Sequence, residues 1–162
     1  MNHNIRPMGQ KEAIVISSWK YGGIYSIYDM DGSEEDITEL LDGSYYVVKN
    51  EKLEIVGYFC FGESAQVLAG NKYNVYFDTE MIDIGLGMNP GFAGQGMGIE
   101  FLNKGIEFAK EKFLISKFRL TVAKFNKRAI KTYEKVGFKE VNRFERQQGN
   151  EIMEFMVMEY RC

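Results

Sequence analysis

Eleven residues constrain this chain most: Met88-Asn89-Pro90-Gly91-Phe92-Ala93-Gly94-Gln95-Gly96-Met97-Gly98. They join a strand-like segment, Glu80 to Met88, to a segment in which Ile99, Leu102, Ile106, Ala109 and Phe113 recur at 3-4-3-4 spacing. That spacing predicts an amphipathic helix. Glycine has no Cβ, so Gly94, Gly96 and Gly98 let backbone N–H groups approach a ligand closely. The first-turn N–H groups of the helix behind them have no intrahelical partner and favour an anion. The run therefore predicts a phosphate or pyrophosphate ligand, against the plainer reading of a glycine-rich turn. It is not a P-loop, since no Gly-Lys-Ser/Thr follows. It is not a dinucleotide fingerprint either, since the spacing differs and no acid sits about 20 residues on.

The remaining elements are read from periodicity and punctuation. His3 to Met8 predicts a short strand ended by Pro7. Gln10 to Trp19 predicts a helix with Ala13, Ile14, Ile16 and Ser17 near its inner face. Gly22 and Gly23 break that pattern, and Tyr21, Tyr25 and Tyr28 follow without a clear period. Ser33 opens a second helix that ends near Gly43. Tyr45 to Val48 and Leu53 to Phe61 predict strands joined at Asn50-Glu51-Lys52. Glu63 to Thr79 is a long connection of no evident structure. Phe118 to Phe125 predicts a strand and Asn126 to Val136 a helix, with Gly137 as its C-cap. Phe138 to Phe144 and Met153 to Tyr160 predict a closing hairpin around Gly149-Asn150. The order is β-α-α-β-β-β-α-β-α-β-β, a mixed sheet flanked by helices in which only the β-α-β portion around the glycine run requires a parallel pair.

Length and composition exclude several classes. The 162 residues suit one domain with a sizeable core. A net charge of -3 gives no global sign of a nucleic-acid partner. There is no apolar run long enough for a membrane helix, and the N-terminus lacks the apolar stretch of a signal peptide. Cys60 and Cys162 stand alone, which excludes a disulfide framework or a cysteine zinc site. No metal is expected, and these features together predict a cytoplasmic protein. Charge is unevenly placed. Asp29 to Asp42 holds only acids among its charged residues, whereas Lys117 to Lys135 is mostly basic. Two solvated helix faces would explain this. So would a cationic substrate near the first segment and an anionic cofactor near the second.

Three features line up: the strand ending at Met88, Asn126 at a strand–helix junction, and Tyr133 seven residues on, ahead of Gly137-Phe138. With them the chain resembles the GNAT superfamily of N-acetyltransferases. That family's phosphate loop reads Arg/Gln-x-x-Gly-x-Gly/Ala, and Ala93-Gly94-Gln95-Gly96-Met97-Gly98 occupies its frame. The segment Phe125 to Phe138 is close to the family's Asn-x-x-Ala-x-x-x-Tyr-x-x-x-Gly-Phe pattern. The departure is Ala93, where the family has Arg or Gln. The resemblance implies an α/β (α+β) fold over residues 1–162 as one domain. Its mixed, mostly antiparallel central sheet would have about six to seven strands, with about four flanking helices.

The same resemblance implies acetyl-CoA as cofactor and the transfer of its acetyl group to a primary amine. Leu86 and Met88 match the positions that hold the pantetheine arm, with the Met88 N–H aimed at the thioester carbonyl. Ala93, Gly94, Gln95, Gly96, Met97 and Gly98 match the pyrophosphate loop. Asn126 matches a pantetheine-binding position, and it is equally a good helix N-cap. Tyr133 matches the general acid. A phenol of pKa about 10 can protonate a thiolate of pKa about 8.5, while the spacing by itself suits a core aromatic. Glu80 and Asp83 are candidate bases for the ammonium, or solvated strand-end acids, or ordered water takes the role. Thr121 stands where other members place a carboxylate. His3, near the terminus, is expected to be structural or solvated.

The family builds its acceptor side from the first two helices and the loop between them. Here that region holds the acid run from Asp29 to Asp42 and the tyrosines Tyr21, Tyr25 and Tyr28, suited to a cationic small molecule or a peptide N-terminus. The exposed-looking aromatics and terminal hairpin also suit a homodimer. Two rivals remain: an acyl-CoA-binding module that has kept the fold without the chemistry, and a small α/β domain whose glycine run holds a nucleotide phosphate.

Overall fold

The computed structural model describes residues 4–162, so His3 and its expected role lie outside the described residues. The chain runs β1 (Asn4–Pro7), α1 (Gln10–Ser17), α2 (Glu34–Leu40), β2 (Tyr45–Lys49), β3 (Ile55–Phe61), β4 (Ile82–Met88), α3 (Gly98–Phe113), β5 (Lys117–Ala123), α4 (Lys127–Val136), β6 (Lys139–Gln148) and β7 (Glu151–Arg161). The strands form a seven-stranded sheet in the order β1-β2-β3-β4-β5-β7-β6. β4 and β5 run parallel, with Ile82 opposite Phe118 and Asp83 opposite Arg119. The expected mixed, mostly antiparallel sheet is thus observed, with four α-helices among the described residues. The chain divides into two compact units: residues up to Cys60 together with Leu86–Met97, and Phe61–Gly85 together with Gly98–Cys162.

In the first unit β1, β2 and β3 form an antiparallel meander, with Ile5 opposite Val48 and Val47 opposite Tyr58. Ala13 and Ile16 of α1, Leu40 of α2, and Val48, Val56 and Phe59 of the strands are almost fully buried. Ile14, expected on the inner face, is half exposed. The helix ends two residues short of its sequence pattern, with Ser18 as its C-cap. The second helix starts where expected, because the Ser33 side chain accepts from the Asp36 N–H. The turn after β2 is longer than expected. The Asn50 side-chain oxygen accepts from the backbone N–H groups of both Lys52 and Glu54, and the loop closes through Leu53 at φ 64°. An Asx turn of this kind substitutes a side-chain acceptor for a backbone one.

In the second unit β7 lies between β5 and β6, antiparallel to both. Phe101, Leu102, Gly105, Ile106 and Ala109 form the buried stripe of α3. Ile130 and Tyr133 do the same for α4, which Gly137 ends at φ 125°. The connection between β3 and β4, unreadable from periodicity, contains two short 3-10 turns, Gly62–Ala65 and Leu68–Tyr73. Tyr76 pins it. Its hydroxyl accepts from the Val67 N–H and shares a 2.7 Å hydrogen bond with the Thr121 hydroxyl. Val75, Ala123, Phe144, Phe155 and Val157 make the apolar cluster that this connection covers.

Candidate active site

The residues named from sequence divide between the units. Leu86, Met88, Ala93, Gly94, Gln95, Gly96 and Met97 belong to the first, with Tyr25, Tyr28 and Asp29. Glu80, Asp83, Gly98, Asn126 and Tyr133 belong to the second.

The glycine run leaves β4 through Asn89, which Pro90 holds away from the helical region. Asn89 is an anchor. Its N–H donates to the Val56 carbonyl at 2.8 Å and its side-chain amide donates to the Ile55 carbonyl at 2.8 Å. Its side-chain oxygen accepts from the Gly91 N–H, and its carbonyl accepts from the N–H groups of Phe92 and Ala93. The run thus begins as a tight turn tied to β3. Gly94 and Gly96 then take left-handed φ values of 76° and 77°. Left-handed residues in alternation turn successive N–H groups into a concavity suited to anions, and few residues but glycine adopt them without strain. The Gln95 side chain folds back and donates to the Gly91 carbonyl. Among the described residues its amide is therefore committed within the loop.

Below the loop, Gly87 meets the ring of Tyr58. A Cβ at Gly87 would sit 2.3 Å from that ring. Tyr58 packs in turn on Trp19 and Tyr45, with ring centroids 6.3 and 5.9 Å away. Burial pushes the Tyr58 and Tyr45 phenols well above their ordinary range.

The acceptor-side residues lie on or beside the short 3-10 turn Gly23–Tyr28. Tyr25 is half-buried and Tyr28 exposed. Asp29 follows the turn, and its carboxylate accepts from the Tyr21 N–H at 2.8 Å. The Tyr21 hydroxyl donates to the Met88 carbonyl at 2.9 Å. Burial, and then the charge of Asp29, push the Tyr21 phenol up to about 12. The acid run continues at Asp31. Hydrogen bonds from Ser33 lower its carboxyl to about 2.

In the second unit Asp83 is 3% exposed and its two oxygens are occupied. Arg119 Nε donates to one at 2.7 Å, and Arg119 NH2 and the Gln66 amide donate to the other at 2.8 Å each. The Arg119 guanidinium lies 5.1 Å over the Tyr76 ring. Burial pulls the Arg119 pKa down, but the hydrogen bonds and charge of Asp83 more than offset this and leave it above its ordinary value. Glu80 is different. Its side chain is 77% exposed and pairs with Lys117 at 3.2 Å.

Asn126 caps α4, its side chain accepting from the Ala129 N–H at 3.2 Å. Tyr133 is 9% exposed, 6.2 Å from the Phe138 ring, which stacks on Tyr160. The Tyr133 carbonyl accepts from the N–H groups of both Gly137 and Phe138, which fixes the end of the helix. A Cβ at Gly98 would lie 3.2 Å from Thr132, so the start of α3 approaches α4 closely.

Sequence reading missed Tyr21, Asn89, Tyr58 and Gln66 as structural partners of these residues. An Asn-Pro pair after a strand signals a turn anchor, and could have identified Asn89. The other three act across long sequence separations that no local pattern encodes.

A family model described as "Acetyltransferase (GNAT) family" matches residues 13–138. The structure is similar to that of an acetyltransferase (GNAT family) from Bacillus anthracis, at 16% identity and a TM-score of 0.74, covering 98% of this chain and 94% of that one. It is also similar to mutant forms of the spermidine/spermine N-acetyltransferase SpeG from Vibrio cholerae, at 15% identity, TM-score 0.71, and 99% and 95% coverage. A dodecameric spermidine N-acetyltransferase from Vibrio cholerae matches at 16% identity, TM-score 0.70, and 98% and 93% coverage. At such identities the likeness is one of fold. No curated protein sequence matches the chain.

Proposed function

This chain belongs to the acetyltransferase (GNAT) family, and we propose that it transfers the acetyl group of acetyl-CoA to a primary amine of a small molecule or peptide by direct attack in a ternary complex. The observation that carries the proposal is the loop between β4 and α3. Its alternating left-handed Gly94 and Gly96 lead directly into a 16-residue helix. Backbone N–H groups in that arrangement suit the pyrophosphate of coenzyme A without needing a side chain at Ala93.

Acetyl-CoA supplies an acetyl group activated as a thioester. Leu86 and Met88 would hold the pantetheine arm through their backbone, with the Met88 N–H orienting the acetyl carbonyl. Tyr133 would hold the proton destined for the departing sulfur. Asn126, besides capping α4, would position the helix that carries Tyr133. Of the two carboxylates, Glu80 is the better candidate to take a proton from the incoming ammonium, because Asp83 is fully engaged by Arg119 and Gln66. Tyr25, Tyr28 and Asp29 would receive the amine, through ring faces and a carboxylate. The spermidine N-acetyltransferases of similar fold act on amines of that charge type.

Two measurements test this. Thermal unfolding with acetyl-CoA at about 100 times its Kd should reveal about 2.7 kcal/mol of added stability. A panel of amines assayed with acetyl-CoA and a thiol reporter should then reveal turnover, which Tyr133→Phe lowers while leaving acetyl-CoA affinity in place. No shift with any acyl-CoA in a folded sample would sink the proposal. The second reading, an acyl-CoA-binding module without catalysis, draws on Ala93 and the engaged Asp83. It expects the thermal shift and no turnover with any amine.

A further inference from the structure

We propose that Tyr21 is a positioning residue for acetyl transfer: through the Met88 carbonyl it sets the end of β4, against which the acetyl group is held. The proposal rests on the acetyltransferase reading and names a residue that the family motifs do not include.

Met88 is the last residue of β4, so its carbonyl stands where the strand ends. Tyr21 supplies a donor at that point from 67 residues away. The same peptide unit carries the Asn89 N–H, which donates to the Val56 carbonyl at 2.8 Å. A peptide group is planar, so bonds at its oxygen and its nitrogen together restrain its orientation. The N–H proposed to face the acetyl carbonyl lies in the preceding peptide unit, joined to this one through the Met88 Cα, so restraining the Met88–Asn89 unit limits how far that N–H can turn. Tyr21 is itself held. Its backbone N–H is bonded to the Asp29 carboxylate. Beneath the strand end, Gly87 lies against the Tyr58 ring, with Trp19 and Tyr45 packed behind it. One hydrogen-bonded path thus joins Asp29, a proposed acceptor residue, to the strand end proposed to hold the acetyl group. An arrangement of this kind fixes reacting groups before they meet, and small displacements of such groups lower rates steeply.

Calorimetric titration of wild type and Tyr21→Phe with acetyl-CoA, and separately with CoA, tests the proposal. CoA lacks the acetyl group and so does not depend on the strand end in the same way. The expected result is a Kd for acetyl-CoA weakened about fivefold, the worth of one typical hydrogen bond, with the Kd for CoA unchanged within about twofold. A purely structural role would lower the melting temperature of the free protein and leave the ratio of the two affinities unchanged. That result, or equal Kd changes for both ligands, overturns the proposal. If Tyr21→Phe does not fold, Asp29→Ala removes the acceptor of the Tyr21 N–H, loosens the same anchor from its backbone side and should show the same split in smaller measure. Wild-type protein that binds neither ligand would overturn the acetyltransferase reading itself, before any variant is made.

Discussion

At the scale of single residues, Asp83 shows how one side chain can suit two roles in sequence and one in space. An acid near the end of a strand that enters a glycine loop is a fair candidate base. Buried against Arg119 and Gln66, it becomes part of a charge pair whose partner could not remain comfortably alone. Asp83→Asn should therefore cost about 3–5 kcal/mol of stability, the usual consequence of leaving one buried charge uncompensated, as read by urea denaturation. If it cost less than about 1 kcal/mol, the pair would be a bystander. Ala93 presents the reverse case, a small residue in a frame that favours a long cationic or amide side chain. Its N–H is already bonded to the Asn89 carbonyl, so a substitution there leaves the turn intact. Ala93→Arg should tighten acetyl-CoA about threefold to tenfold, as a charge-assisted contact to phosphate would. An unchanged Kd would mean that the loop is misaligned with the family's pattern. The left-handed glycines and the Asn126 cap were legible because their motifs are local. The bond from Tyr21 was not, because what defines it is a carbonyl 67 residues away.

At the scale of elements, α4 is the best determined piece. Its apolar residues lie on one stripe, Asn126 caps its start and Gly137 its end. Asn126→Ala should lower stability by about 1 kcal/mol through the lost cap. If Asn126 also serves the reaction, turnover should fall further than that loss explains. Measuring denaturation and steady-state kinetics on the same preparation separates the two contributions. Helices and strands with clear periods were readable within a few residues of their ends, because the period reports which face is buried. Two segments were not. The hairpin after β2 closes through Leu53 in a left-handed conformation that leucine rarely adopts. The stretch between β3 and β4 folds around Tyr76, whose partner Thr121 comes 45 residues later. In both, tertiary contacts override weak local preference.

At the scale of the whole molecule, the buried tyrosines set a limit on stability in alkali. Tyr21, Tyr45, Tyr58 and Tyr76 all have phenols pushed above the ordinary value of 10.0, chiefly by burial. The folded state therefore holds these protons more tightly than the unfolded chain does. Their contribution is fully present below pH 10 and is lost as the pH rises from there through about 12, the value reached by Tyr21. Urea denaturation between pH 8 and 12 should show the unfolding free energy falling across that window. Tyrosinate absorbance should rise together with unfolding, and Tyr21→Phe should make the fall shallower. Ionisation of all four in a protein that stays folded would contradict the burial described here.

The division of the chain into two units also bears on its synthesis. The first unit needs Leu86–Met97 as well as everything up to Cys60, so a growing chain holds no complete unit until Met97 has emerged. The second waits longer still, because β7 completes its sheet and Cys162, just after β7, donates its N–H to the Ser116 carbonyl. On the ribosome, the anchor at Asn89 and the glycine turn behind it can form once Met97 has cleared the exit tunnel, while later residues are still being added. The helix bearing Tyr133 is docked only when β7 has followed it out.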